Sequence, residues 1–377
     1  MKRAKEAFLT ITLYIVAILA GFMAASTVAI TYNIGFLDSL GILAVSPFAD
    51  LFNFSEVLVR FIAIYTIALG VAIALKAGLW NIGGEGQFLV GAVMTLFIAK
   101  SLSTPHPALT MTTMMLGAGF FAMAWALVPA LLKARFGVNE IVTTLLLNIV
   151  ASSFTLYALD GPIRGQGSFG YLLSDVLPSE LRFPALLKYP RAIETSSGVG
   201  FVWEDTRLSY ALFITLAMAI ILYIVVERSP LETHLGVVAR SWRLASYAGI
   251  NVFRIVVALM LFAGFTAGLS GALHIMGVLY RLDSGQIDHG FGYLAVLAAA
   301  LGRAKIVGTA LASIFISFVI IGSESLQRVS GAPYAITWVF VGTVMVAITI
   351  VEYIRGWTVS YTHLRAHETP EHLVCRL

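Results

Sequence analysis

Long runs without a charged residue alternate with short polar segments along most of this chain. A helix that spans a bilayer needs about 18 or more consecutive, mainly apolar residues. The pattern therefore predicts an all-α fold, a polytopic membrane helix bundle of about ten transmembrane helices. The charge-free runs cover residues 8–37, 107–132, 141–159, 208–226, 255–280, 306–323 and 332–351. The predicted helices cover residues 8–31, 57–79, 87 onward, 108–132, 138–158, 208–227, 252–276, 290–302, 306–322 and 333–352.

The apolar pattern is interrupted at residues 78–87, which read Gly-Leu-Trp-Asn-Ile-Gly-Gly-Glu-Gly-Gln. Four glycines predict a broken helix, and the backbone groups that a break frees inside a membrane must be satisfied by protein or water. Discontinuous helices are typical of transport pathways, and Asn81, Glu85 and Gln87 place polar side chains at this one. A glycine-rich turn between two helices would explain the same residues, so both interpretations stay open.

Composition and charge agree with a membrane protein. The chain is 59% hydrophobic and 12% charged, whereas soluble domains carry about 25% charged residues. The net charge of +4 does not indicate nucleic-acid binding. With ten helices, the Lys and Arg clusters all fall on one side of the membrane, and the positive-inside rule makes that side cytoplasmic. We expect a bacterial cytoplasmic membrane protein, embedded in lipid, with both native termini in the cytoplasm. Helix 290–302 is short, and the pattern leaves open whether it spans or re-enters.

No enzyme motif occurs in the sequence. There is no phosphate-binding loop of the Gly-x-x-x-x-Gly-Lys-Ser/Thr type, so this chain is not expected to hydrolyse ATP or to bind a cofactor. The single cysteine, Cys375, excludes an intrachain disulfide and a cysteine metal cluster, and no metal site is predicted. Function must then rest on polar residues within the apolar segments.

A second polar set follows residue 137. On a helix, Glu140, Thr144 and Asn148 recur at every fourth position and share one face, with Asn139 directly before them. Such a stripe suits a polar cavity. It suits equally well a set of interhelical hydrogen bonds, each worth about 0.6 kcal/mol, that hold the bundle together.

Two loops differ from the rest. Residues 160–207 form the longest polar stretch and fall on the external side, where a docking surface or a variable loop would both fit. Residues 228–251 fall on the cytoplasmic side and predict a short amphipathic helix with an apolar stripe of Val238, Trp242 and Ala245. Such a helix could dock into a groove of a soluble partner or lie on the anionic leaflet.

These segments together resemble the membrane permease subunits of bacterial ABC importers for nucleosides and simple sugars, a ribose-type, branched-chain-like transport family. The resemblance rests on residues 78–87, 137–148, 236–251 with its Tyr-Ala-Gly-Ile-Asn ending, and 291–302 with its Leu-Ala-Ala-Ala-Leu-Gly. The first two segments together are characteristic of the nucleoside-type branch. The likeness covers residues 1–357, which we take as one transmembrane permease domain.

The resemblance implies a permease that moves its solute by alternating access and performs no covalent chemistry. It implies three partners: a second, related permease, a cytoplasmic ATP-binding subunit that holds ATP and Mg, and an extracytoplasmic substrate-binding protein. The substrate pathway would include Asn81, Glu85, Gln87, Asn139, Glu140, Thr144 and Asn148. The coupling helix that meets the ATPase would include Arg240, Trp242, Arg243, Tyr247 and Gly249. The family often has Arg-Ala in this helix, where this chain has Arg240-Ser-Trp-Arg243.

Residues 358–377 differ from the rest in composition. They contain three of the seven histidines and the only cysteine, and they resemble translated sequencing-adapter sequence. We therefore interpret them as a non-native tail.

A secondary, ion-coupled transporter of a small polar solute is the alternative interpretation. Such a protein would also use broken helices and a membrane carboxylate, here Glu85 or Glu140. Uptake that depends on a proton gradient would favour it, and a neighbouring gene with a phosphate-binding loop would favour the ABC permease. The sequence does not separate a nucleoside from a sugar.

The first testable prediction concerns topology. In a background without Cys375, a cysteine at Ser197 should react with a membrane-impermeant thiol reagent in intact cells, because residues 160–207 are expected outside. A cysteine at Ser229, the matched internal position, should react only after the membrane is permeabilised. Protection at 197 together with labelling at 229 in intact cells would reverse the orientation.

Overall fold

The computed structural model describes residues 2–351, apart from residues 103–105, 168–169, 196–197, 288–289, 332–334, 345 and 348–349. The predicted tail, 358–377, lies outside the described residues, as does the labelling position 197. The chain divides into a larger unit, residues 47–318, and a smaller unit formed by residues 1–46 and 319–377.

The described residues are mainly helical. The helices are α1 (Lys2–Ile30), α2 (Phe36–Val45), α3 (Leu51–Lys76), α4 (Gly84–Ser101), α5 (Pro107–Phe136), α6 (Glu140–Asp160), α7 (Ala211–Leu222), α8 (Leu231–Arg240), α9 (Trp242–Tyr247), α10 (Val252–His274), α11 (Phe291–Leu301) and α12 (Ile306–Ser330). Helix α7 continues as a π-helix over Tyr223–Glu227, and α10 continues likewise over Ile275–Leu279. Two strands, β1 (Lys188–Thr195) and β2 (Gly198–Asp205), lie between α6 and α7.

Local sequence signals set the ends of several helices. Pro107 begins α5, where its missing N–H costs no hydrogen bond. Gly137 ends the same helix in the left-handed conformation, with φ of 69°, which glycine adopts without strain. Asn139 then caps α6 by accepting a hydrogen bond from the Ile141 amide at 2.9 Å. The turn between α5 and α6 is therefore encoded locally.

Helix α10 lies at the centre of the larger unit and packs against α3, α4 and α5. Small residues allow this close approach. A Cβ atom added at Gly264 would lie 2.8 Å from the Ala122 carbonyl oxygen, and one added at Gly268 would lie 2.5 Å from that of Ala118. Lipid gives apolar side chains no driving force to associate, so membrane helices gain from such backbone-to-backbone packing.

Contacts at the helix ends show the relative direction of α3 and α4. At the start of α3, Glu56 receives two hydrogen bonds from the Arg207 guanidinium. At the end of α4, the Lys100 ammonium donates to the Arg164 carbonyl oxygen at 3.0 Å. Both contacts are with the segment between α6 and α7, so α4 runs back towards the end of the bundle where α3 begins. The helices predicted at 57–79 and from 87 onward, on either side of the break, correspond to α3 and α4, which run in opposite directions.

The segment that contains α11 crosses the larger unit. Helix α11 has 11 residues and is about 16 Å long, too short to span a bilayer by itself. However, the Leu282 amide before it donates to the Ser174 hydroxyl at 2.9 Å, within the 160–207 segment. The Ile306 amide after it donates to Glu227 at 2.7 Å, next to the 228–251 segment. Residues 283–305 thus connect the two ends of α7, which favours a spanning over a re-entrant segment.

The ten predicted transmembrane helices are only partly recovered as complete spans within the part of the chain that the structure describes. Among the described residues, five helices are long and apolar enough to cross a membrane, and six if α7 and α8, which meet at a bend of 71°, form one span. Helices α2 and α11 are apolar but too short to be counted as spans. The structure confirms a helical membrane protein but does not confirm ten complete transmembrane helices.

The 160–207 segment adds strands to a fold predicted as all-α. Strands β1 and β2 pair antiparallel with Lys188 opposite Asp205. The Tyr189 ring packs 5.1 Å from that of Phe52, at the start of α3, and its hydroxyl donates to Glu204 at 3.0 Å. Alternating strand residues are hard to recognise inside a long polar loop with several prolines, which is why the hairpin was missed.

The smaller unit contains α1, α2, the second half of α12 and a helix whose described part covers residues 336–344. Phe22 and Phe340 meet edge to face, with ring centroids 4.9 Å apart. A Cβ atom at Gly322 would overlap the backbone of Leu43, so this glycine permits the contact between α12 and α2.

The second prediction tests the packing of small residues. Gly268→Val should destabilise the protein by about 1–3 kcal/mol or prevent folding, because the new side chain enters the backbone of α5. The control Gly342→Ala is also helical and has open space around its Cα, so it should keep stability or raise it by up to about 1 kcal/mol. Thermal unfolding of detergent-solubilised protein, followed by size-exclusion fluorescence, measures both. If Gly268→Val unfolded at the same temperature as the wild type, the packing of α10 against α5 would be contradicted.

Candidate functional site

The polar residues singled out in the sequence surround a non-helical segment inside the larger unit. Helix α3 ends at Lys76, and Gly78 turns the chain with φ of 75°. Helix α4 begins at Gly84, and a Cβ atom there would lie 3.0 Å from the Ile67 side chain. Ile67 stands nine residues before the end of α3, about 13 Å along its axis. Residues 77–83 therefore return into the bundle as non-helical chain.

Asn81 and Gln87 tie this segment to the first turn of α4. The Asn81 side-chain oxygen accepts a hydrogen bond from the Gly83 amide at 2.9 Å. Its amide nitrogen donates to the Gln87 side-chain oxygen at 3.1 Å. Both residues are buried, so these bonds replace water for polar groups that lie away from solvent.

Helix α6 satisfies the backbone of the same segment. The Asn148 amide nitrogen donates to the Ile82 carbonyl oxygen at 2.9 Å, and its oxygen accepts from the Gly86 amide at 2.9 Å. The Thr144 hydroxyl accepts from the Ile82 amide at 3.3 Å. The predicted stripe on α6 therefore faces residues 82–86, and its side chains take the place of the missing helical partners.

The carboxylate of Glu85 joins the starts of two helices. It lies in the first turn of α4 and accepts hydrogen bonds from the amides of Gly290 and Gly292, at 2.8 and 2.6 Å, at the start of α11. Free amides and the helix dipole make each N-terminus electropositive, so one negative charge stabilises both ends. A Cβ atom at Gly292 would overlap the Glu85 backbone, so glycine is required for the approach.

Glu140 forms an ion pair beside the segment. Its carboxylate lies 2.7 Å from the Lys133 ammonium of α5 and accepts a longer hydrogen bond, 3.4 Å, from the Trp80 amide. Asn139 is different, because it is exposed and its side chain caps α6. The structure thus brings together six of the seven predicted pathway residues and leaves Asn139 exposed beside them. These six residues form the polar cluster: Asn81, Glu85, Gln87, Glu140, Thr144 and Asn148.

Tyr293 belongs to the cluster and was not singled out in the sequence. Its hydroxyl accepts a hydrogen bond from the Asn148 amide nitrogen at 3.2 Å, yet the residue is 39% exposed. It is a polar group of the cluster that is partly exposed at the surface of the isolated chain. The Gly-Phe-Gly-Tyr sequence at 290–293, a glycine pair before an apolar helix, was the available signal.

The side chains of the cluster bond mainly to backbone groups. Its amides and hydroxyls are uncharged, and both carboxylates have cationic or amide partners. A cavity of about 190 Å³ opens elsewhere, at the other end of α4, lined in part by Lys100, Asp175 and Leu177. The predicted pathway residues do not line it.

The predicted coupling loop forms two helices instead of one. Helix α8 ends at Arg240, and Ser241 is extended, with its hydroxyl accepting from the Leu244 amide at 3.3 Å to cap α9. The predicted stripe is therefore split between two helices. Val238 and Ala245 are buried, whereas Trp242 is 36% exposed.

The remaining coupling residues lie on the surface. Arg240 and Arg243 are exposed, and Tyr247 is 90% exposed. Gly249 closes α9 with φ of 76° and donates its amide to the Ser246 carbonyl oxygen at 3.0 Å. The α8–α9 segment presents two positive charges and an aromatic ring to its surroundings.

Comparison with known proteins gives a family match. The family model described as "Branched-chain amino acid transport system / permease component" matches residues 53–349. The chain is 29% identical to the glucose ABC transporter permease protein TsgB13 of Haloferax volcanii, over 95% of this chain and 92% of that protein.

Two further relatives are similar over most of their length. The chain is 25% identical to the guanosine ABC transporter permease protein NupP of Bacillus subtilis, over 89% of this chain and 91% of that protein. It is 23% identical to the nucleoside ABC transporter permease protein NupB of Lactococcus lactis subsp. cremoris, over 89% and 90%. No solved structure matches the chain significantly.

The third prediction tests the carboxylate between the two helix starts. Glu85→Ala leaves two buried amides without this acceptor and should cost about 1–3 kcal/mol for each. Glu85→Gln keeps one acceptor oxygen and should be milder. The exposed Glu180→Ala is the control and should leave the unfolding midpoint unchanged. If the two Glu85 variants unfolded at the same midpoint as the wild type, the bridging role would be wrong.

Proposed function

This chain belongs to the family of permease components of branched-chain amino acid transport systems, and from this premise we propose that it is the membrane subunit of an ATP-driven importer. The single observation that supports a transport role best is the pair of helix starts, α4 and α11, that meet inside the bundle on Glu85. Discontinuous helices of transporters are arranged in this way around solute paths. The permease would move its solute by alternating access.

We propose a nucleoside or a simple sugar as the solute. The similar proteins are named for glucose, guanosine and nucleosides. The polar surface at the cluster agrees with a neutral, hydroxyl-rich solute, because Tyr293 and its partner Asn148 offer uncharged donors and acceptors. Asn148, a predicted pathway residue, and Tyr293 are the two groups that we expect nearest to the solute.

The proposal gives energy coupling to the α8–α9 segment. Arg240, Arg243 and Tyr247 project from it, and a short helical segment of this kind can insert into a groove of a soluble partner. The partner would be a separate cytoplasmic subunit that binds ATP and Mg. We expect its groove to carry acidic side chains opposite the two arginines.

Two more partners complete the proposed assembly. A second, related permease would cover apolar surface of this chain, which in part faces lipid. An extracytoplasmic binding protein would deliver the solute to the side that carries residues 160–207. We propose that the assembly lies in the cytoplasmic membrane, with both native ends of the chain in the cytoplasm.

The fourth prediction tests the proposed function. The permease, co-purified with the other subunits encoded beside it, is placed in proteoliposomes with ATP inside and labelled guanosine or glucose outside. Wild-type vesicles should accumulate one of these solutes only when ATP is present. Arg240→Glu should reduce uptake several-fold, because it reverses the charge presented to the ATPase.

The control is Arg135→Glu, which reverses an exposed charge at the end of α5, outside the coupling segment. It should retain uptake. Accumulation that needs no ATP and is abolished by a protonophore would support the ion-coupled transporter instead. If both arginine variants took up solute as fast as the wild type, the proposed role of the α8–α9 segment in coupling would be wrong.

A further inference from the structure

A chain of side-chain contacts connects the α8–α9 segment to the non-helical segment 77–83. The Lys133 ammonium of α5 lies 5.5 Å from the centre of the Trp242 ring at the start of α9. The same ammonium lies 2.7 Å from Glu140. The second oxygen of Glu140 accepts the hydrogen bond from the Trp80 amide. Three side chains thus reach from the coupling surface to the backbone of the segment.

The burial of Lys133 and Glu140 strengthens these contacts. Its side chain is 21% exposed and that of Glu140 is 7% exposed, so the pair is largely removed from solvent screening. A cation over an indole face is attracted by the ring, and Trp is the most favourable aromatic partner. One ammonium therefore holds a ring that moves with α9 and a carboxylate that holds Trp80.

A second contact links the same two segments. A Cβ atom at Gly78 would lie 3.4 Å from the Cα atom of Ala239 in α8, so the backbones run close together there. The α8–α9 segment therefore meets residues 77–83 at two places, Gly78 directly and Trp80 through Lys133 and Glu140. A displacement of α8 and α9 would act on this segment through both contacts.

We propose that Lys133 is a positioning residue that transmits movement of the coupling segment to the non-helical segment 77–83. The inference rests on the proposed function, because the movement would originate in the ATPase. Residue Trp80 directly precedes Asn81 and Ile82, which hold the cluster to α4 and α6. Shifting Trp80 would therefore alter the contacts around Asn148 and Tyr293.

The experiment measures solute transported per ATP hydrolysed by the full complex in proteoliposomes, with guanosine or glucose as the probe. Lys133→Met removes the positive charge and should lower this ratio about two- to five-fold. Lys133→Arg is the matched control, since a guanidinium also stacks on indole and pairs with a carboxylate, and it should keep the ratio near wild type. A merely structural role would lower the amount of complex and leave the ratio unchanged.

A second variant keeps the test decisive if Lys133→Met does not fold. Trp242→Leu breaks the other contact of Lys133 without leaving a buried charge, and should lower the ratio similarly. Where Lys133→Met folds, the double variant should fall no further than either single variant, because both substitutions interrupt the same path. Normal ratios in these variants, or additive losses, would overturn the relay. Wild-type complex without ATP-dependent uptake would overturn the proposed function itself, and the relay with it.

Discussion

The structure depends on how the chain satisfies backbone groups that lie inside the bundle without a helical partner. Residues 77–83 enter the larger unit as non-helical chain, and α11 begins beside them. An unsatisfied amide or carbonyl group in such a place costs about 1–3 kcal/mol, more than a typical hydrogen bond contributes. Glu85 and Asn148 remove that cost by bonding to four backbone groups, so the polar cluster is first of all a condition of the fold.

A cluster with that role can also serve transport. Helices that begin inside the bundle leave their positive ends and polar linkers near a solute path, where a continuous helix would present only apolar side chains. Segment 77–83 is held by a few directed bonds instead of a helical ladder. Its contact with α8, and its link to Lys133 through Glu140, join it to the surface that we assign to the ATPase.

The resemblance to importer permeases, inferred from four short segments, is confirmed by the family match and by the relatives. Those segments were recognisable because glycine, amide and carboxylate residues are rare in apolar helices and stand out where they occur. The β-hairpin and the division of the coupling loop at Ser241 were missed, since neither carries a local pattern that distinguishes it from an ordinary polar loop.

The sequence by itself determined the membrane helix bundle, the positions of most helices and the set of polar residues at 81–87 and 140–148, because hydropathy and periodicity are local properties. Only the tertiary structure decided that α11 starts on Glu85, and that Tyr293 and Lys133 join the cluster. These are contacts between residues far apart in the chain. Which distant backbone group each side chain satisfies depends on how the helices pack, and small residues such as Gly268 and Gly292 set that packing.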